Sequence, residues 1–194
     1  MCAIIENRAA ILRRIIVLRW IAMKKFFAVL IAVLLCAAMA AVAEAPVKTV
    51  EVAQDDTYAE MNLGADRAVT RMPADWTSIN AEYSDENSQL LGAYVNPDGT
   101  AMVIVTETRI SASSDAAALC AEAAAAGLTA EVAAYNANQF ACITAAGSDG
   151  QIVLMANYFV DDTTIIAFTF SCAQDGQDAM QPVIEQALAG LTVK

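Results

Sequence analysis

LLGAYVNPDGTAMVIVT, residues 90–106, sets two apolar runs around Asn96-Pro97-Asp98-Gly99. Proline presets φ for a corner, asparagine and aspartate bond to their own backbone, and glycine takes the positive φ that closes a turn. The spacing predicts strands over 90–94 and 101–106, joined as a hairpin. In the second run Met102 and Ile104 point one way and Val103 and Val105 the other. Apolar residues on both sides of a strand imply that both faces of its sheet are covered.

Downstream, Ser113 or Ser114 is placed to cap a helix that runs to about Ala126, where Gly127 stops it. Its inward stripe is Ala116, Leu119, Cys120 and Ala123, small enough to lie close on a sheet. Alternation then predicts strands over 129–134, 140–145, 151–160 and 163–171, with a turn at Asp161-Asp162. Ile166, Phe168 and Phe170 give the last strand one heavily apolar face. The chain ends in a helix with Met180, Val183, Ile184, Ala187, Leu188 and Leu191 on one side, and Asp175 is read as its cap. Pro182 falls early in that stripe, so a short separate turn is expected before it. Residues 46–65 are mixed and acidic and read as a linker. The order β-β-α-β-β-β-β-α predicts one α/β (α+β) domain over 66–194, an antiparallel sheet of about six strands flanked by helices.

Val69-Thr70-Arg71-Met72-Pro73-Ala74-Asp75-Trp76 looks like a strand ending in Pro-x-x-Trp. Together with the Asn96–Gly99 turn, the helix ended by Gly127, and Ile166–Phe170 leading into the last helix, it resembles the PsbP-like fold. That fold is shared by the photosystem II extrinsic protein PsbP and the Ran-binding Mog proteins. The resemblance covers about residues 66–191 and implies a PsbP-like sandwich. Its members act mostly as binding, assembly or adaptor modules without a shared active site, so no catalytic, cofactor-binding or metal residue carries over.

The N-terminus has its own pattern. From Met23 come Lys24-Lys25, an apolar run to about Val42, and the small-residue exits Ala41-Val42-Ala43 and Ala43-Glu44-Ala45. This is the three-part layout of a Sec-type signal peptide over 23–45, and it predicts an extracellular or cell-envelope location. Cys36 does not read as a lipidation site, because Leu35 stands where a small residue is needed. Residues 1–22 are either a long basic n-region or an over-extended start, with Met23 alone opening a complete signal. An uncleaved span that tethers the domain to a membrane is the remaining alternative.

From Pro46 onward five basic residues face 20 acidic ones, a net −15, which repels nucleic acid and anionic lipid. The chain has no histidine, so histidine triads and histidine metal sites are excluded. Cys120, Cys142 and Cys172 are too far apart for a CxxC site; they read as small buried residues or as one bridge with one thiol left over. Ser148, in Gly147-Ser148-Asp149-Gly150, has only Lys48 or Lys194 as a candidate base and reads as a hairpin turn. Asp55-Asp56, Asp85-Glu86 and Asp161-Asp162 offer oxygen ligands for weak calcium without forming an EF-hand. Trp76 is expected in the core, and Tyr83, Tyr94 and Tyr135 on the surface. The expected function is a non-enzymatic binding or adaptor domain that needs no cofactor and engages a protein partner. A hydrolase using paired carboxylates is the alternative.

Overall fold

Asn96 closes the predicted hairpin. Its Oδ1 accepts from the backbone N–H of Thr100 at 2.8 Å and of Ala101 at 3.0 Å, and Gly99 takes φ 70° behind it. The structure, a computed structural model, describes residues 47–79, 86–147 and 150–194. The expected signal at 23–45, the 1–22 segment, Cys2, Cys36, Tyr83, Asp85 and Ser148-Asp149 lie outside the described residues.

The hairpin strands are β5 (Ser88–Val95) and β6 (Ala101–Arg109). With β7 (Thr129–Tyr135), β8 (Asn138–Ala146), β9 (Gln151–Phe159) and β10 (Thr164–Ala173) they make six long antiparallel strands. Two short edge strands, β1 (Lys48–Val50) and β4 (Thr77–Ser78), extend the sheet to the order β1-β7-β8-β9-β10-β6-β5-β4. β1 runs parallel to β7, an exception to the antiparallel expectation. A second, antiparallel sheet holds β11 (Thr192–Val193), β3 (Ala68–Pro73) and β2 (Tyr58–Leu63). Residues 46–65 therefore do not form a linker. They supply β1 and β2, and Asn136, at φ 52° beyond β7, fixes the segment between them by exchanging bonds with the Val52 backbone.

Register decides what each face of the large sheet meets. Val105, Phe168, Ala156, Cys142 and Glu131 stand side by side across five strands. Four of those five, joined by Phe140, Ile166 and Phe170, build the core beneath the helix α2 (Gln177–Ala189) and the small sheet. Phe140, Phe168 and Phe170 are fully buried, each contributing about 2–3 kcal/mol by area removed from water. Phe140 is the hub, with ring centroids 5.5 Å from Tyr158, 6.1 Å from Tyr135 and 6.4 Å from Phe168. The helix α1 (Ala116–Ala125) lies on the opposite face against β7 and β8, burying Leu119, Cys120 and Ala123 of the predicted stripe.

Two cap assignments are corrected. Asp115, not Ser113 or Ser114, caps α1, accepting from Ala118 N–H at 2.8 Å. Both serines are taken up by Asp162, through its carboxylate and its carbonyl. Gly127, at φ 81°, ends α1 as expected, with Leu128 N–H bonding back to Ala123. Before α2, Asp175 lies in a 3-10 turn (Gln174–Gly176), and the cap is Gly176, with no side-chain bond.

The two ends of α2 differ in their support. At the C-terminal end Thr70 Oγ1 donates to the Ala187 carbonyl at 2.7 Å. Asn138 Nδ2 donates to Leu188 at 3.1 Å and to Leu191 at 2.9 Å. Gln186 bridges Arg71 to the Ala53 carbonyl. Near the start, Pro182 lacks the N–H that would bond one turn back. Packing of Met180, Val183 and Ile184 into the core holds that half.

Candidate functional site

Two clefts flank the N-terminal half of α2, because its side chains cannot cover all the sheet beneath it. The first, about 200 Å³, opens over β7–β9 and is floored by Cys142, Leu154, Phe170 and Met180. Lys48 and Glu131 also line it, paired at 3.3 Å. The second, about 310 Å³, lies between α2 and two turns brought there by sheet pairing. β4 pairs with the end of β5, Thr77 against Val95, which sets Trp76 beside Asn96 and the hairpin turn. Ala101, Ala173, Ala179, Met180 and Val183 give this cleft an apolar lining, and Asp75 and Asp98 also line it from exposed positions. No lysine or arginine is among its lining residues, and neither aspartate is in an ion pair among the described residues. Small-molecule sites usually begin at about 300 Å³, so the first cleft falls below that range and the second stands at its lower end.

Trp76 is half-buried: it packs against the core and also lines the second cleft. Its placement thus fits the core reading in part. Tyr94 and Tyr135, expected outside, are buried, a consequence of strand parity. Tyr94 is paired with Val103, and Tyr135 turns toward Phe140.

The three thiols are buried and free. Burial, with the nearby Glu131 carboxylate next, pushes Cys142 up to about 12, and burial pushes Cys120 up to about 11. Cys172 is raised by burial and then by Asp175. Nucleophilic cysteines need the opposite shift, so these thiols are held in the unreactive form.

Two of the carboxylates read as calcium candidates, Asp55 and Asp161, are engaged in turns. Asp55 accepts from Thr57 N–H at 2.9 Å and Oγ1 at 2.7 Å, and Asp161 does the same with Thr163 at 2.8 and 3.0 Å. Those bonds hold both carboxyls below the ordinary range. Lys194 lies 3.6 Å from Asp66. Among the described residues no group of three or more cysteines and carboxylates is placed to hold a metal ion, and no helix is long and apolar enough to cross a membrane.

An eight-stranded sheet carrying one helix on each face, closed on one side by a small second sheet, defines an α+β sandwich of the PsbP-like kind. No family model matches the sequence, and no curated protein matches it significantly. Among solved structures, cyanobacterial PsbP (CyanoP) from Synechocystis sp. PCC 6803 superposes with a TM-score of 0.53 at 12% identity, covering 73% of this chain and 95% of that one. A protein from Bacteroides thetaiotaomicron VPI-5482 gives 0.48 at 14% identity, covering 66% of this chain and 46% of that one. The fold is PsbP-like.

Proposed function

We propose that this chain is an exported binding domain that engages a protein partner in the cell envelope or the extracellular medium, without catalysis of its own. The signal-like layout of 23–45 and the acidity of the chain beyond it support the location. The observation that carries the binding reading is Trp76, half-buried in the wall of the larger cleft. A large aromatic side chain fixed by packing along one edge and open along the other is a common anchor of protein interfaces.

The test is site-directed photo-crosslinking of the full-length chain in extracts of envelope and medium from its own source. One reporter replaces Asp98 beside the cleft, and a control replaces Ala124, exposed on α1 across the sheet. The expected result is one protein captured reproducibly from position 98 and not from 124. Equal capture from both positions, or none from either, refutes the reading.

A further inference from the structure

We infer that the Trp76 cleft receives an arginine-bearing segment of the partner protein; this rests on the binding reading above and gives that partner its chemistry. The lining has two parts of different character. Ala101, Ala173, Ala179, Met180 and Val183 are apolar and come from β6, the end of β10 and α2, with Cys172 beneath them. Asp75 and Asp98, on the two turns, bring negative charge to the same small volume with no basic residue to balance it. Asp175 and Asp178 add charge at the start of α2, where the positive end of the helix dipole stabilises carboxylates. Of the five basic side chains among the described residues, three are in ion pairs with carboxylates, and Arg71 is bonded to Gln186 and to the carbonyls of Asp55 and Tyr58. None of the five, Arg109 included, lines this cleft.

An apolar wall with an acidic edge excludes an anionic ligand and suits a side chain that is apolar along its stem and positive at its tip. Arginine fits better than lysine. Its planar head stacks on an aromatic face and presents a fork of donors to carboxylates, whereas an ammonium keeps its water more tightly. About 310 Å³ accommodates one such side chain with part of its backbone rather than a folded element. Met180, unbranched and shared by both clefts, has the freedom to adjust to the incoming stem.

The test uses the full-length chain carrying Trp20→Phe, which leaves Trp76 as the only indole. Two probes are titrated while its emission is followed: acetyl-Ala-Arg-Leu-Arg-Ala-amide, and the same peptide with glutamate in place of arginine. The arginine peptide is expected to shift the emission saturably, and the glutamate peptide to leave it unchanged. Asp75→Asn with Asp98→Asn, both at exposed positions, should weaken the arginine peptide by roughly tenfold, with the circular dichroism spectrum as the control for folding. Moving from about 0.01 M to about 0.15 M salt should weaken it as well, since the screening length falls from about 30 to about 8 Å. Equal response to both peptides, or affinity unmoved by the double variant, overturns the inference. Spermidine binding as tightly as the peptide would make the occupant a small polycation and overturn it too. If crosslinking at position 98 captures a partner while the arginine peptide leaves Trp76 silent, the binding reading stands and the arginine assignment falls.

Discussion

Replacing Asn138 by alanine tests how α2 is held. The Asn138 amide has two protons to donate and three carbonyls within reach, Leu191 at 2.9 Å, Leu188 at 3.1 Å and Ala189 at 3.4 Å. Leu188 and Ala189 end the helix and Leu191 lies just beyond it, so the three carbonyls mark the point where the chain leaves α2. Two well-made bonds at about 0.5–1.5 kcal/mol each give a loss of about 1–3 kcal/mol for Asn138→Ala. A loss near the middle of that range lowers Tm by about 4–8 °C at this size. In urea it appears as a shift in the midpoint of about 1 M with an unchanged slope, followed by circular dichroism. Asn138→Asp sharpens the test, because it is nearly the same shape but sets carboxylate oxygens against carbonyl oxygens. It should therefore be less stable than the alanine variant above pH 5. An alanine variant within about 0.5 kcal/mol of the parent, or an aspartate variant more stable than the alanine one, refutes the claim that these bonds latch the helix.

Gly190→Ala is expected to destabilise by about 1–3 kcal/mol despite the better helix propensity of alanine. A Cβ there would lie 2.6 Å from Arg71 Cγ and 2.9 Å from the Gln186 carbonyl oxygen, and a thermal melt showing a gain would mean that the Arg71 stem gives way freely. Cys142, raised to about 12 by burial, stays protonated in the folded chain at a pH where the unfolded chain has already lost that proton. The unfolded state then binds fewer protons, so stability falls as pH rises above about 9. Part of this alkaline loss should vanish in Cys142→Ala when urea midpoints are compared across pH, the rest staying with Cys120 and Cys172, which are raised as well.

Where one segment carried its own signal, the sequence could be read directly. The 90–106 hairpin needs only its turn residues and two alternating runs, and Asn96 provides the closure locally. The stripe from Met180 to Leu191 matches the buried face of α2 and the residue that follows it, because a period of 3.6 leaves one face to bury. β1 was not legible for the opposite reason. Three residues carry no period, and their place is set by Asn136, 84 positions away from Val52. β2 did carry a signal, since Ala59, Met61 and Leu63 alternate with Tyr58, Glu60 and Asn62, but the acidic residues around it obscured the pattern. Ser113 and Ser114 read as caps from their type and place alone, but Asp162, 49 positions from Ser113, engages both serines and Asp115 takes the cap. The candidate site was the least legible part. Trp76, Asp98 and Met180 belong to three separate segments, and only the β4–β5 pairing and the packing of α2 bring them to one cleft.

The small sheet links the two ends of the domain in a way that bears on the order of folding. Thr192 and Val193 pair with Val69 and Ala68, and the Lys194 carbonyl accepts from the Arg67 side chain 127 positions earlier. Hairpins β5–β6, β7–β8 and β9–β10 can close as soon as they are synthesised, each across a loop of a few residues. The helix that roofs the core and the strand that flanks β3 both come from residues 177–193, so the apolar face of the large sheet stays uncovered until those residues are made. Contacts of such long range are slow to form, and open sheet faces aggregate. A chain released before residues 177–193 were made would be a sheet without its roof.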